Sequence, residues 1–164
     1  AHIWCLGALL AEYPDALLVQ THRDPLRIVA SVASLIATLR RIGSAEASIP
    51  EAAAEWADYL LDGLDRSVDA REDGTLPAGR VVALHFAAFM ADPFATIRQV
   101  YDRLGFELGP EAEARMRAFW AANPIDKHGR HRYRFADTGL DAGELRERAR
   151  RYQTYFDVPS EALP

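Results

Sequence analysis

Short apolar runs alternate along the chain with longer amphipathic stretches. An apolar run at residues 17–21 follows the turn signal Tyr13-Pro14-Asp15 and predicts a buried strand. Asp24 and Pro25 then provide an N-cap and a first helical residue. The helix that they begin is predicted to be amphipathic, because large apolar residues recur at helical spacing at Ile28, Val32, Leu35, Leu39 and Ile42. Its opposite stripe is polar.

The rest of the chain is predicted to be mostly helical, with one further strand at 81–84. Helices are predicted near 4–10, 48–68, 94–104, 110–122 and 141–156, whereas the charged run 69–74 is interpreted as a solvated loop. Average sheets contain about five or six strands. Two strands are too few for a free-standing sheet, so we expect one α/β domain over residues 1–164 that is truncated at its amino end.

Composition and charge restrict the function further. The chain has 164 residues, of which 49% are hydrophobic and 26% charged, as in ordinary globular domains. A formal net charge of −5 provides no general attraction to nucleic acid or to an anionic membrane, so any anion site must be local. The single cysteine excludes an intramolecular disulfide, and no apolar stretch reaches the length of a membrane span. We therefore expect a cytoplasmic protein.

Two side chains near the first strand have the chemistry of an anion site. Arg23 follows the strand directly, and Ser31 lies on the polar stripe of the next helix. Open α/β sheets bind ligands at the carboxyl ends of their strands. A planar guanidinium and a hydroxyl are donors suited to a terminal phosphate. The alternative is that Arg23, Asp24 and Pro25 form only a surface ion pair and a helix cap.

Five phrases follow one another along the chain, namely Ala1-His-Ile-Trp, Tyr13-Pro-Asp-Ala, Val19-Gln-Thr-His-Arg-Asp-Pro, Ala91-Asp-Pro-Phe-Ala-Thr-Ile and Lys127-His-Gly-Arg-His-Arg-Tyr. In this order they resemble the later part of a bacterial sulfotransferase that depends on 3′-phosphoadenosine-5′-phosphosulfate (PAPS). The resemblance extends over residues 2–156. It implies a P-loop NTPase-like α/β sulfotransferase fold, here partial and helix-dominated with few parallel strands. It also implies transfer of a sulfuryl group from PAPS to a hydroxyl or amine of a small-molecule, lipid or glycan acceptor, without a metal.

The resemblance assigns cofactor binding to seven residues. In the family, an arginine and a serine spaced like Arg23 and Ser31 hold the 3′-phosphate, and an aromatic residue at the position of Phe86 contacts adenine. A basic glycine loop closes over the same phosphate, and the matching residues are Lys127, His128, Gly129 and Arg130. Here Lys127 and His128 replace the Arg and Lys of better-known enzymes. Core packing of Phe86 and a solvated turn at 127–130 are the alternatives.

His2 matches the family's catalytic histidine by its spacing from Arg23. Sulfuryl transfer to an alcohol needs a base near the acceptor oxygen, and imidazole is the side chain most often used in that role. A carboxylate is the alternative base.

The glycine-rich loop that binds the 5′-phosphosulfate in these enzymes has no counterpart between Ala1 and Pro164. We therefore expect this chain alone to be inactive and to bind adenosine 3′,5′-bisphosphate weakly. Two other interpretations stay open at this point. In the first, the chain is a non-catalytic α/β interaction module or an inactive homologue. In the second, it is a relative of P-loop kinases, which would need a Walker-type loop upstream.

Overall fold

The computed structural model describes residues 2–124, 127, 129 and 131–164, and these form two strands and seven α-helices. In chain order they are α1 (Leu6–Glu12), β1 (Leu18–His22), α2 (Pro25–Arg40), α3 (Ile49–Glu72), β2 (Val81–His85), α4 (Phe86–Ala91), α5 (Pro93–Arg103), α6 (Pro110–Ala122) and α7 (Ala142–Tyr155). Short 3-10 helices cover His2–Trp4, Ala78–Arg80 and Phe135–Thr138. The prediction of a helix-dominated α/β fold is thus confirmed.

The two strands form a parallel pair, as the resemblance implied. Leu18 is opposite Val81, and His22 is opposite His85 at the carboxyl ends of the strands. Parallel strands require a long crossover, and α2 and α3 provide it here. Both strands end at the paired residues His22 and His85, so the residues that follow them, Arg23 and Phe86, leave the sheet at the same edge.

Helix α2 packs through a different face from the one that its large apolar residues predict. Its buried residues are mostly small, namely Pro25, Leu26, Val29, Ala30, Ala33, Ser34 and Ala37. Ala33 and Ala37 meet Ala52 and Ala53 of α3, so the two helices pack through small side chains. The predicted stripe is largely exposed: Leu35 is 50% exposed and Ile42 is 84% exposed.

Helix α3 continues to Glu72, so the prediction of a solvated loop from residue 69 is wrong for its first part. Arg151 on α7 contacts Asp69 and Glu72, each at 2.7 Å, and Val68 and Ala70 are buried. These contacts stabilise the last turns of the helix, although the local sequence is highly charged.

The last eight residues, 157–164, pack back against the end of the sheet, and we call them the C-terminal strap. Val158 is buried beside Tyr152 and Phe156, and the backbone N–H of Val158 donates to the carbonyl oxygen of Gln153. At the other end, the N–H of Phe135 donates to the carbonyl oxygen of Pro164 at 3.1 Å. The strap is therefore fixed at both ends.

Candidate functional site

The carboxyl ends of β1 and β2 bring together Arg23 and Phe86. The guanidinium carbon of Arg23 lies 4.1 Å from the centroid of the Phe86 ring. A cation over the face of an aromatic ring is attracted by its quadrupole. One face of the guanidinium is thereby fixed, and its N–H groups point outward from its edges because the group is planar.

A carboxylate from the C-terminal strap occupies one edge of Arg23. Arg23 Nε donates to Glu161 Oε1 at 3.0 Å, and Nη2 donates to Oε2 at 3.1 Å. The same carboxylate lies 3.5 Å from Nε of Arg27, one turn into α2. The hydrogen bond to Glu161 raises the pKa of Arg23 above its usual value. The ion pair that the sequence allowed as an alternative at Arg23 is therefore present, and its partner is Glu161.

Asp24 lies behind this pair as a buried carboxylate. Its side chain caps α2 by accepting the N–H of Leu26 at 3.0 Å, and it also accepts the N–H of Glu161 at 2.7 Å. Burial by itself would raise the pKa of Asp24, but the hydrogen bonds from Arg146, Glu161 and Leu26 lower it below its usual value. Asp24 is thus ionised at neutral pH and anchors both α2 and the strap.

His22 ends β1 in an aromatic environment. Its Nδ1 lies 2.7 Å from the hydroxyl oxygen of Tyr152, and its ring lies 4.2 Å from that of Phe156. Burial lowers the pKa of His22 to about 4, with smaller contributions from His85 and Arg71. The imidazole is therefore neutral at pH 7. Its Nε2 is buried and has no hydrogen-bond partner among the described residues.

Ser31 is half-buried on α2, one turn after Arg27 and two turns after the start of the helix. Within the described part of the chain its hydroxyl makes no hydrogen bond to another side chain or to the backbone. The helical spacing places Ser31 on the same face of α2 as Arg27. Its role in phosphate binding stays a prediction.

The basic glycine loop is described only in part. Lys127 Nζ donates to the carbonyl oxygen of Ala122 at 3.1 Å and to Asn123 Oδ1 at 3.0 Å, so Lys127 binds the carboxyl end of α6. Gly129 has a φ of 88°, a left-handed conformation that favours glycine. His128 and Arg130, which the sequence also assigns to this loop, lie outside the described residues.

Tyr133, just after the loop, lies under the guanidinium of Arg27 at 5.9 Å. The ring of Tyr133, three residues after the predicted loop, therefore lies beside Arg27, whereas Lys127 at the start of that loop contacts α6.

His2 lies in the first 3-10 helix, with an exposed side chain. It lines a cavity of about 410 Å³ that also reaches Val19 and Thr21 of β1. Thr21 is two residues before Arg23, so the cavity runs along the strand that leads to Arg23. The catalytic role of His2 stays a prediction.

Sequence reasoning missed three charged residues of this site. Arg27 had a local signal, because it lies four residues before Ser31 on the polar stripe of α2. Glu161 and Arg146 had none, because they approach Arg23 and Asp24 from 138 and 122 residues away. The three complete a cluster of alternating charge.

The described residues contain no group of three or more His, Cys, Asp and Glu side chains arranged to hold a metal ion. None of the helices in the described ranges combines the length and the apolar character needed to cross a bilayer.

Comparison with known proteins supports the resemblance. The family model for the sulfotransferase family matches residues 1–110. The chain is similar to the crystal structure of sulfotransferase STF9 from Mycobacterium avium, with a TM-score of 0.84 and 28% identity over 98% of this chain and 41% of that one. It is also similar to sulfotransferase STF1 from Mycobacterium tuberculosis H37Rv, with a TM-score of 0.68 and 29% identity over 90% of this chain and 37% of that one.

No curated protein matches the sequence. The chain spans about two-fifths of the length of the two solved sulfotransferases, 41% and 37%. Because the family model covers residues 1–110 and the similarity of fold extends over nearly the whole chain, the chain belongs to the sulfotransferase family.

Proposed function

We propose that the protein containing this chain transfers a sulfuryl group from PAPS to a hydroxyl or amine, and that the end of the sheet around Arg23 binds the nucleotide. The observation that carries the proposal is the contact of Arg23 with Phe86 at 4.1 Å. These are the two residues that family resemblance assigns to the 3′-phosphate and to adenine. They directly follow two strands that are more than 60 residues apart in sequence, and they meet at the carboxyl edge, where open α/β sheets bind ligands.

Charge at this edge favours a phosphomonoester. Arg23, Arg27 and Arg146 carry three positive charges, and Asp24 and Glu161 carry two negative charges. The cluster is therefore net positive by one charge. A phosphomonoester at neutral pH carries about −1.5 to −2 charges and three strong acceptor oxygens. In the proposed complex Arg23 donates from its outer edge and Ser31 adds a hydroxyl donor.

Phe86 has two faces, and the proposal uses both. One face supports the guanidinium of Arg23. The other face is assigned to adenine, because stacking requires only a π surface. The basic loop at 127–130 is proposed to close over the phosphate on nucleotide binding, which would require Lys127 to leave the end of α6.

The proposed reaction is a direct displacement at sulfur. The acceptor oxygen or nitrogen forms a bond to the sulfur atom while the bond from sulfur to the 5′-phosphate oxygen breaks. The electron pair of the broken bond stays on that oxygen and gives adenosine 3′,5′-bisphosphate. His2 is proposed to accept the proton that the acceptor loses.

A second candidate is a non-catalytic interaction module, and two observations favour it. Arg23 already has a carboxylate partner in Glu161, and Lys127 is bound to the end of α6. In that interpretation both residues serve the fold rather than a ligand.

Calorimetric titration of the full-length protein with adenosine 3′,5′-bisphosphate separates the two candidates. The proposal expects binding that Arg23→Ala weakens by about 10- to 100-fold, since hydrogen bonds to charged groups contribute about 1.5–3 kcal/mol. Arg115→Ala is the matched control, because Arg115 forms an exposed pair with Glu111 on α6. Absence of binding, or equal affinity of wild type and Arg23→Ala, would favour the interaction module.

A further inference from the structure

Glu161 binds Arg23 in a way that leaves part of the guanidinium unused. The carboxylate accepts from Nε and from one hydrogen of Nη2. A guanidinium has five N–H donors. Within the described part of the chain, both hydrogens of Nη1 and the second hydrogen of Nη2 have no acceptor. One Nη1 hydrogen and the second Nη2 hydrogen lie parallel along the adjacent edge. That edge has the fork geometry that binds a phosphate through two parallel hydrogen bonds.

Arg23 is consequently held on two sides. Phe86 covers one face of the guanidinium, and Glu161 occupies its inner edge. An arginine side chain has many rotamers, and its ordering on ligand binding carries an entropic cost. The two contacts select one orientation before any ligand arrives.

Glu161 is itself fixed by the interior of the protein. Its backbone N–H donates to Asp24 Oδ2 at 2.7 Å, and Asp24 is in turn bound by Arg146. Gln153 Nε2 donates to the carbonyl oxygen of Val158 at 3.0 Å, three residues before Glu161. The carbonyl oxygen of Ala162, next to Glu161, accepts from Arg27 Nη1 at 3.2 Å. The strap is therefore packed into the structure around the site. These anchors would not be needed if the Glu161 carboxylate only occupied the place of an absent phosphate.

We propose that Glu161 is a positioning residue for Arg23. It holds the guanidinium against Phe86 with the Nη1 edge directed outward, so that a ligand with a terminal phosphate meets an arginine that is already ordered. This inference rests on the proposed function, because it takes the 3′-phosphate of the nucleotide as the anion. Glu161 touches both Arg23 and Arg27, and its proposed effect on phosphate binding acts through Arg23.

The test compares Glu161→Gln and Glu161→Ala in the full-length protein with two probes. Adenosine 3′,5′-bisphosphate has the 3′-phosphate, and adenosine 5′-monophosphate lacks it. Immobilising one flexible side chain corresponds to about two- to tenfold in affinity. We expect Glu161→Ala to weaken binding of the bisphosphate by that factor, Glu161→Gln to weaken it less, and neither to change binding of the monophosphate. Glu111→Gln, on the exposed surface of α6, is the control.

A second arm asks whether the effect acts through Arg23. In an Arg23→Ala background, Glu161→Gln is expected to cause no further loss of bisphosphate affinity. A further loss of the same size in both backgrounds would show a general structural role and overturn the proposal. If Glu161→Ala fails to fold by circular dichroism, the isosteric Glu161→Gln variant carries both arms.

Two other results would also overturn the inference. Tighter bisphosphate binding by Glu161→Gln would show that Glu161 competes with the phosphate for Arg23. Unchanged binding by both variants would show that the Arg23–Glu161 contact is a surface ion pair without effect on the ligand. Failure of the proposed function looks different, because the wild-type protein would then bind no bisphosphate or Arg23→Ala would have no effect.

Discussion

Arg146 of α7 donates two hydrogen bonds, at 2.5 and 2.7 Å, to the carboxylate of Asp24, whose side chain is fully buried. This pair joins α7 to Asp24, the N-cap residue of α2. The same carboxylate holds the backbone of Glu161. The position of Arg23, which directly precedes Asp24 in the sequence, therefore depends on this ion pair.

Arg146→Met is expected to destabilise the protein by about 3 kcal/mol, because loss of one partner leaves a buried charge uncompensated. The value lies at the low end for buried pairs, since Arg146 is 26% exposed. Urea denaturation measures it. Arg150→Met is the control: its pair with Glu147 is exposed, and exposed pairs contribute at most about 1 kcal/mol. Similar losses in the two variants would contradict the prediction.

Local signals in the sequence predicted most element positions. Helix α6 begins and ends where the pattern placed it, at Pro110 and Ala122. Helix α4 was not predicted, because its six residues, Phe86–Ala91, run directly into the Asp92-Pro93 start of α5. The packing face of α2 was predicted wrongly, because periodicity identifies two stripes on a helix and does not say which one meets a partner. In α2 the alanines meet α3.

For the candidate site, the sequence predicted the positions of residues that directly follow a strand. Arg23 and Phe86 each follow a strand directly, and so their meeting follows from parallel pairing in register. Glu161 lies in an irregular strap that approaches from the far end of the chain, and no local pattern marks such a contact. Residues that act through distant partners were therefore the ones that sequence reasoning missed.

Phe86→Leu is expected to weaken binding of adenosine 3′,5′-bisphosphate by about three- to tenfold. Leucine keeps the apolar volume but has no π face for Arg23 or for adenine, and a cation–π contact contributes about 0.5–1 kcal/mol at exposed sites and more when desolvated. Phe86→Tyr keeps the ring and should bind within twofold of wild type. Calorimetry measures both, with Phe119→Leu on the exposed surface of α6 as the control. Wild-type affinity in Phe86→Leu would count against a role for the ring.

Gly63→Ala is expected to displace the 3-10 helix that carries His2. An added Cβ would lie 2.6 Å from two atoms of the Trp4 indole, which is stacked on Tyr59 at 4.2 Å and has little room to move. Overpacking costs about 1–3 kcal/mol, more than the roughly 1 kcal/mol that alanine gains in helix propensity. Thermal unfolding and tryptophan fluorescence report the change.

Gly43→Ala is the matched control, since nothing lies within 4 Å of its added Cβ. If His2 is the base, the rate of sulfuryl transfer by the full-length protein should fall in Gly63→Ala and stay unchanged in Gly43→Ala. An unchanged melting temperature in Gly63→Ala would show that the Trp4 indole can move away from the added Cβ at little energetic cost.

The stability of the protein is expected to fall as pH decreases from about 6.5 to about 4, in part because of His22. Burial lowers the pKa of His22 to about 4 in the folded protein, whereas an exposed histidine has a pKa near 6.5. Between these values the unfolded chain binds the proton and the folded protein does not, so acid favours unfolding. The contribution is fully present above pH 6.5, and its loss by pH 4 corresponds to roughly 2–3 kcal/mol.

Urea denaturation at a series of pH values measures this slope. His22→Asn removes the titrating group, so its stability should depend less on pH in this window even if its absolute stability is lower. His131→Asn is the control, because His131 is exposed. The slope distinguishes titration from packing, since loss of the contacts with Tyr152 and Phe156 would lower stability equally at every pH. If His22→Asn keeps the wild-type slope, another group is responsible for the acid sensitivity.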